Sequence, residues 1–220
     1  MAELVKEPLN PTQLATLRAK FYLSQGFSKE QLVTFDALST DISKYLTDYY
    51  LLFSDFKTTL NEDFRKVYSD YSFMLNPINK AFEAYIKAIF VRLFGIKITK
   101  KTNETVGYYL NLPEDKKKNI LSSFQKIFPF KGQFTEREWI DCLEALERQW
   151  KANRNPLTHP GEKVETLIAA EQIANSIIQE MKHSVNLINK EFLNPLSLHF
   201  QKEEKEEKKK IESLSKPEQE

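Results

Sequence analysis

The stretch LNPINKAFEAYIKAIFVRLFG, residues 75–95, decides the fold. Asn76 is a residue type that caps helices. Pro77 suits the first helical position, where its missing N–H costs nothing, and Gly95 suits the exit. Between them Ile78, Phe82, Tyr85, Ile86, Ile89, Phe90 and Leu93 recur at helical spacing. They form a face broader than the stripe of a surface helix. Such a helix needs neighbours on several sides, so the spacing predicts a central helix in an all-α bundle. Glu83, Lys87 and Arg92 interrupt the same run, which is too charged and too short to cross a bilayer.

Helical patterning continues outward on both sides. PTQLATLRAKFYLSQ, residues 11–25, reads as a helix, with Leu14, Leu17 and Phe21 at helical spacing. Residues 28–56 open on a capping box, Ser28 with Gln31, and carry a stripe of Leu38, Ile42, Tyr45, Leu46, Tyr49 and Phe53. Residues 57–72 read as a further helix. After residue 95 the pattern predicts two short helices, near 104–111 and 114–127. A third helix, 135–153, has Thr135 with Glu138 as its capping box and Trp139, Leu143, Leu146 and Trp150 on one side. Residues 162–192 contain no proline or glycine and read as a long helix. The chain divides into an N-terminal helical extension (1–69), a main helical domain (70–200) and a charged tail (201–220). The tail holds six lysines and seven glutamates and reads as a fraying helix or a flexible segment.

Composition narrows the classes. Hydrophobic residues make up 41% of the 220, enough for a real core, and only five are glycine. Charged residues make up 29% but balance to a net charge of +1, which excludes the global positive field of a general DNA coater. Cys142 is the single cysteine, so no internal disulfide forms, and it reads as a small core residue on a helix. No histidine stands at metal-ligand spacing from it, no glycine-rich phosphate loop is present, and neither a metal nor a cofactor is expected. MAELVKEPLN lacks the basic start and apolar run of a signal peptide. A soluble cytoplasmic protein without membrane attachment is expected.

The helical pattern breaks at QWKANRNPLTHPGEKVE, residues 149–165, and one of three histidines sits in the break. On a continuous helix Arg154 and His159 would diverge by about 140°. Pro156 removes that obstacle, because it pushes Asn155 out of the helical region. Arg154 and His159 can then converge near a helix N-terminus, entered either with Asn155 as cap or with Gly161 leading into Glu162. Free N–H groups at such an end favour an anion. Arginine clamps phosphate oxygens, and histidine exchanges protons near neutral pH. Together they suit a phosphodiester. RNA carries its own nucleophile, the ribose 2′-hydroxyl, so cleavage needs no metal. It does need both a base and an acid, and the motif supplies one histidine. A two-fold dimer would supply the second. The plainer reading is an arginine paired with helix glutamates, an asparagine cap and a surface histidine in a turn.

RNPLTH resembles the Arg-Asn-x-x-x-His signature of the HEPN superfamily (higher eukaryotes and prokaryotes nucleotide-binding). EAYIK, with Glu83 and Lys87 one turn apart, is similar to the Glu-x3-Lys pattern upstream in several branches of it. The resemblance covers about residues 70–195. LNPINKAFEAYIKAIFVRLFG, residues 75–95, together with RNPLTHP is similar to the toxin component of RNase LS-type toxin–antitoxin systems. It implies an all-α HEPN-like bundle and a dimeric, metal-independent endoribonuclease with paired motifs. It also implies a role in toxin–antitoxin biology or phage defence, with RNA as substrate and an antitoxin or regulatory protein as partner. Carried over by position, His159 resembles the catalytic acid or base, Arg154 the phosphate-stabilising residue and Asn155 the orienting polar position. Glu83 and Lys87 are supporting candidates. Lys151, Asn153 and Thr158 are neighbours placed to touch RNA. Where some members carry a tyrosine two residues after the histidine, this chain has Gly161, so silencing through such a tyrosine is not implied. Tyr85, Tyr108 and Tyr109 are candidates for base stacking, with core packing the plainer role for Tyr85. His183 and His199 read as structural or exposed. The alternative function is a non-catalytic HEPN-like module that binds nucleotides, RNA or protein.

Overall fold

In chain order the computed structural model has helices α1 (Pro11–Ser24), α2 (Lys29–Leu38), α3 (Thr40–Thr59), α4 (Asn76–Ala88), α5 (Val106–Leu110), α6 (Glu114–Ile127), α7 (Glu136–Gln149) and α8 (Leu167–Ile188). A 3₁₀ turn, Ser72–Leu75, leads into α4. π turns at Ile89–Leu93 and Trp150–Arg154 extend α4 and α7. The structure describes residues 10–59, 68–93, 96, 105–127, 136–154 and 163–189, and the fold over them is all-α.

The sequence explains most of these boundaries. The capping box at α2 forms: Ser28 Oγ accepts from Gln31 N, and Gln31 Oε1 accepts from Ser28 N. Ser39 then breaks the run with an extended backbone, φ −167° and ψ 130°. Its hydroxyl accepts from Asp41 N, so the serine trades a helical conformation for a cap on α3. Past α1 the chain turns at Gly26, whose φ of 64° favours glycine. A Cβ there would also stand 3.3 Å from Lys182 Nζ, which donates to Gln25 O.

Three boundaries differ from expectation. Asn76 is not the cap of α4; it is the helix's first residue, because the preceding 3₁₀ turn delivers the chain already coiled. The expected helix over 57–72 does not reach its expected end, since residues 68–71 are not helical; residues 60–67 lie outside the described residues. The long helix expected from 162 begins at Leu167. Residues 163–166 are non-helical, and the Thr166 side chain accepts from Ala169 N as the cap. Gly95 and Thr135, expected at helix ends, lie outside the described residues.

The face that selected α4 is buried: Ile78, Phe82, Tyr85, Ile86, Ile89 and Phe90 are fully inaccessible. α4 packs against α2, α3, α5 and α8. Burying each such side chain stabilises by about 1.5–3 kcal/mol. One apolar core runs from Phe21 to Ile188, so α1–α3 share it with the later helices. An aromatic chain links them, with Phe27–Phe35 centroids 5.7 Å apart and Phe35–Tyr85 centroids 5.5 Å apart. Two polar contacts, one part-buried and one buried, fix α8 against it. Gln31 Nε2 donates to Asn186 Oδ1 at 2.8 Å, and the Tyr85 and Ser184 hydroxyls bond at 2.8 Å.

Candidate functional site

The break between α7 and α8 leaves from a well-anchored end. The Trp150 ring packs on Phe82 of α4, with centroids 6.3 Å apart. Its indole Nε1 lies 3.5 Å from where a Gly107 Cβ would be, an ordinary van der Waals distance, so the ring also packs beside α5. Ser176 Oγ of α8 donates to Gln149 Oε1 at 3.1 Å. On an uninterrupted α7, Arg154 would follow Leu143, Leu146 and Trp150 in one stripe. The π turn adds the equivalent of one residue and changes the backbone register at Arg154.

The returning end is anchored as well. Tyr71 N donates to Val164 O at 2.7 Å. Asp70 Oδ1 accepts from Val164 N at 3.2 Å, from Ser72 N at 2.8 Å, and from the Ser72 hydroxyl. The Ser72 hydroxyl and amide hold the Asp70 carboxyl below the usual range, with smaller help from Val164 N–H and Lys163. Sequence reading passed over Asp70. Its local signal, an aspartate two residues before a serine, marks an Asx-type turn. The partner at Val164 is distant in sequence and left no trace.

Of the expected site residues, Glu83 is half-buried and Lys87 exposed, one turn apart on α4. The Phe82–Trp150 contact brings their helix against the start of the π turn that carries Arg154. Lys151 is exposed and pairs with Glu147 at 2.6 Å. Glu147 also receives the buried Lys117 at 2.7 Å. Burial pushes the Glu147 carboxyl up, but the two lysines outweigh it and the net direction is down. A groove of about 290 Å³ here sets Lys117, Arg148 and Lys151 against Glu114, Glu144 and Glu147, so its charges balance. Backbone is described for Asn153 and Arg154, in the π turn. Asn155, Thr158 and His159 lie outside the described residues, as does His199. His183 is exposed on α8.

The three tyrosines separate. Tyr85 is fully buried, and Tyr109 is 7% exposed and packs on Phe90, so neither offers a free face for a base. Tyr108 is 50% exposed. Cys142 is buried in the core, as its place on the helix implied. Burial, and then the Glu180 carboxylate, push its thiol up to about 12. Among the described residues no cluster of histidine, cysteine and carboxylate has the makings of a metal site. Among the same residues no helix is long and apolar enough to cross a membrane. Comparison with known proteins adds no relative: no family model, no curated protein and no solved structure matches this chain.

Proposed function

We propose that this chain is a metal-independent HEPN endoribonuclease that works as a dimer and serves as a toxin or phage-defence nuclease. The observation that carries the reading is the set Arg154, Asn155 and His159 on the connection between α7 and α8. Both ends of that connection are tied into the core, at Trp150 and at Val164. Pre-fixed ends limit the conformations a short catalytic connection can sample, which is what positioning a reacting phosphate requires.

In the proposed reaction the histidine of one protomer takes the proton of the ribose 2′-hydroxyl. The oxygen attacks the adjacent phosphorus, and the bond to the 5′-oxygen breaks. The histidine of the second protomer returns a proton to that leaving oxygen. The products are a 2′,3′-cyclic phosphate and a 5′-hydroxyl. Arg154 of each protomer neutralises charge on the non-bridging oxygens of the transition state, and Asn155 orients the phosphate. Glu83 and Lys87 support the site from α4. Lys151, Asn153 and Thr158 are the neighbouring contacts to RNA. Lys151 is itself exposed, and Glu147 keeps its second partner in buried Lys117, so an RNA phosphate can compete for Lys151. Because an unregulated ribonuclease harms its host, an antitoxin or another regulatory protein is the partner that this reading implies.

The chemistry is tested with an end-labelled RNA carrying a single 2′-deoxy substitution. At the substituted nucleotide cleavage stops, and elsewhere products carry the cyclic phosphate. Cleavage 3′ of a deoxynucleotide would rule out attack by the 2′-hydroxyl.

A further inference from the structure

Two rings lie open beside the returning end of the motif connection. Tyr68 is 44% exposed and Phe73 is 42% exposed, whereas Tyr71 between them is 5% exposed. Their centroids are 5.8 Å apart. Phe56 supports both, at 5.4 Å from Tyr68 and 6.0 Å from Phe73. Tyr71 packs edge-on against Phe56 at 5.9 Å. The backbone beneath is the segment that Asp70 and Tyr71 bond to Val164. Together they make a small exposed aromatic surface seated on buried rings.

Its position ties it to the motif. Val164, which accepts from Tyr71 N beside the two rings, follows His159 by five residues, so the Cα atoms of His159 and Val164 are at most about 18 Å apart. A single-stranded RNA seated at His159 spans such a distance within a few nucleotides. Among the described residues the local charge is near balance. Lys163 and Glu165 are both exposed on either side of buried Val164, and Asp70 is committed to its hydrogen bonds. The surface therefore suits the flat face of a base rather than a phosphate. A pair of half-exposed rings also falls well short of the about 800 Å² per partner of a standard protein interface. Bases within a duplex expose no face, so the ligand is single-stranded.

We propose that Tyr68 and Phe73 form a stacking platform for an unpaired base of the bound RNA, within a few nucleotides of the cleaved bond; this rests on the ribonuclease reading above. The test measures binding of a labelled single-stranded oligoribonucleotide by fluorescence anisotropy. Full-length protein carrying His159→Ala is used so that RNA is not consumed. Adding Tyr68→Ala and Phe73→Ala should weaken binding roughly ten- to a hundred-fold, from the loss of one or two stacks. Adding Tyr68→Leu and Phe73→Leu should weaken it similarly while keeping the packing on Phe56, which separates lost stacking from lost folding. Tyr68→Phe should bind as the parent does, and a duplex of the same sequence should show no dependence on either ring. Unchanged affinity in the leucine variant overturns the platform. So does a change in oligomeric state with RNA affinity intact, which would make the rings a contact between copies. The two readings fail separately. If the His159-intact protein cuts RNA while the ring variants bind normally, only the platform is wrong. If the ring variants lose binding while no cleavage occurs, the rings stand as an RNA-binding platform, and the nuclease reading and the platform's place beside a cleaved bond are wrong. Absence of RNA binding by every protein overturns both.

Discussion

Asp70 shows how much one side chain can organise. Its carboxylate accepts from Ser72 and from Val164, joining the approach to α4 to the approach to α8. Replacing it by asparagine should destabilise by about 1 kcal/mol, below the usual value for bonds to a charged group because the site is partly solvated. Native Asp70 holds its proton less tightly than the unfolded chain does. Its contribution is therefore complete above the unfolded carboxylate value of about 4 and drains away as pH falls through the lower native value. Thermal melts of wild type and Asp70→Asn should differ at pH 7 and converge at about pH 2; a gap of constant size would show that the charge is not involved. Cys142 makes a second residue-scale case. A thiol pushed up to about 12 in a 3% exposed position holds almost no thiolate at neutral pH. Iodoacetamide should leave the native protein unmodified and label it fully in denaturant, as read by mass spectrometry.

At the scale of elements, reading from sequence succeeded where the signal is local. The Ser28–Gln31 box, the broad face of α4 and the apolar side of α7 are short-range patterns, and each forms. Asn76 misled because a 3₁₀ turn upstream supplies what a cap would have supplied. The start of α8 was misplaced because Val164 is held by Tyr71 and Asp70, far away in sequence, which keeps residues 163–166 out of the helix. π turns have no sequence signature, so the change of register at Trp150–Arg154 was invisible. The same turn yields a prediction. Trp150→Ala removes the contacts with Phe82 and Gly107 and should cost about 3–5 kcal/mol. It should also lower RNA cleavage more than the stability loss explains when assayed well below the melting temperature. Val33→Ala, at a residue 61% exposed, should change neither and serves as the control.

At the scale of the whole molecule, one core from Phe21 to Ile188 makes α1–α3 part of the body that carries the motif connection. How much of the candidate site was legible follows from the same logic. The residue types and spacing of Arg154, Asn155 and His159 are written in the chain, and so is the pair Glu83 and Lys87 on α4. The anchors at Trp150 and Val164 and the rings of Tyr68 and Phe73 depend on tertiary contacts that no local pattern encodes. A single motif holds one of the two proton carriers that the chemistry needs. Cleavage per protein chain should therefore fall on dilution in step with dimer dissociation measured by sedimentation. Constant activity in a monomer would exclude a shared site.

The most direct measurement is RNA cleavage in EDTA by wild-type protein beside His159→Ala, both shown to be folded. Metal-independent catalysis by His159 predicts cleavage that persists in EDTA in the first and is lost in the second. Equal cleavage by the two proteins, or none in EDTA by the wild type, would contradict it.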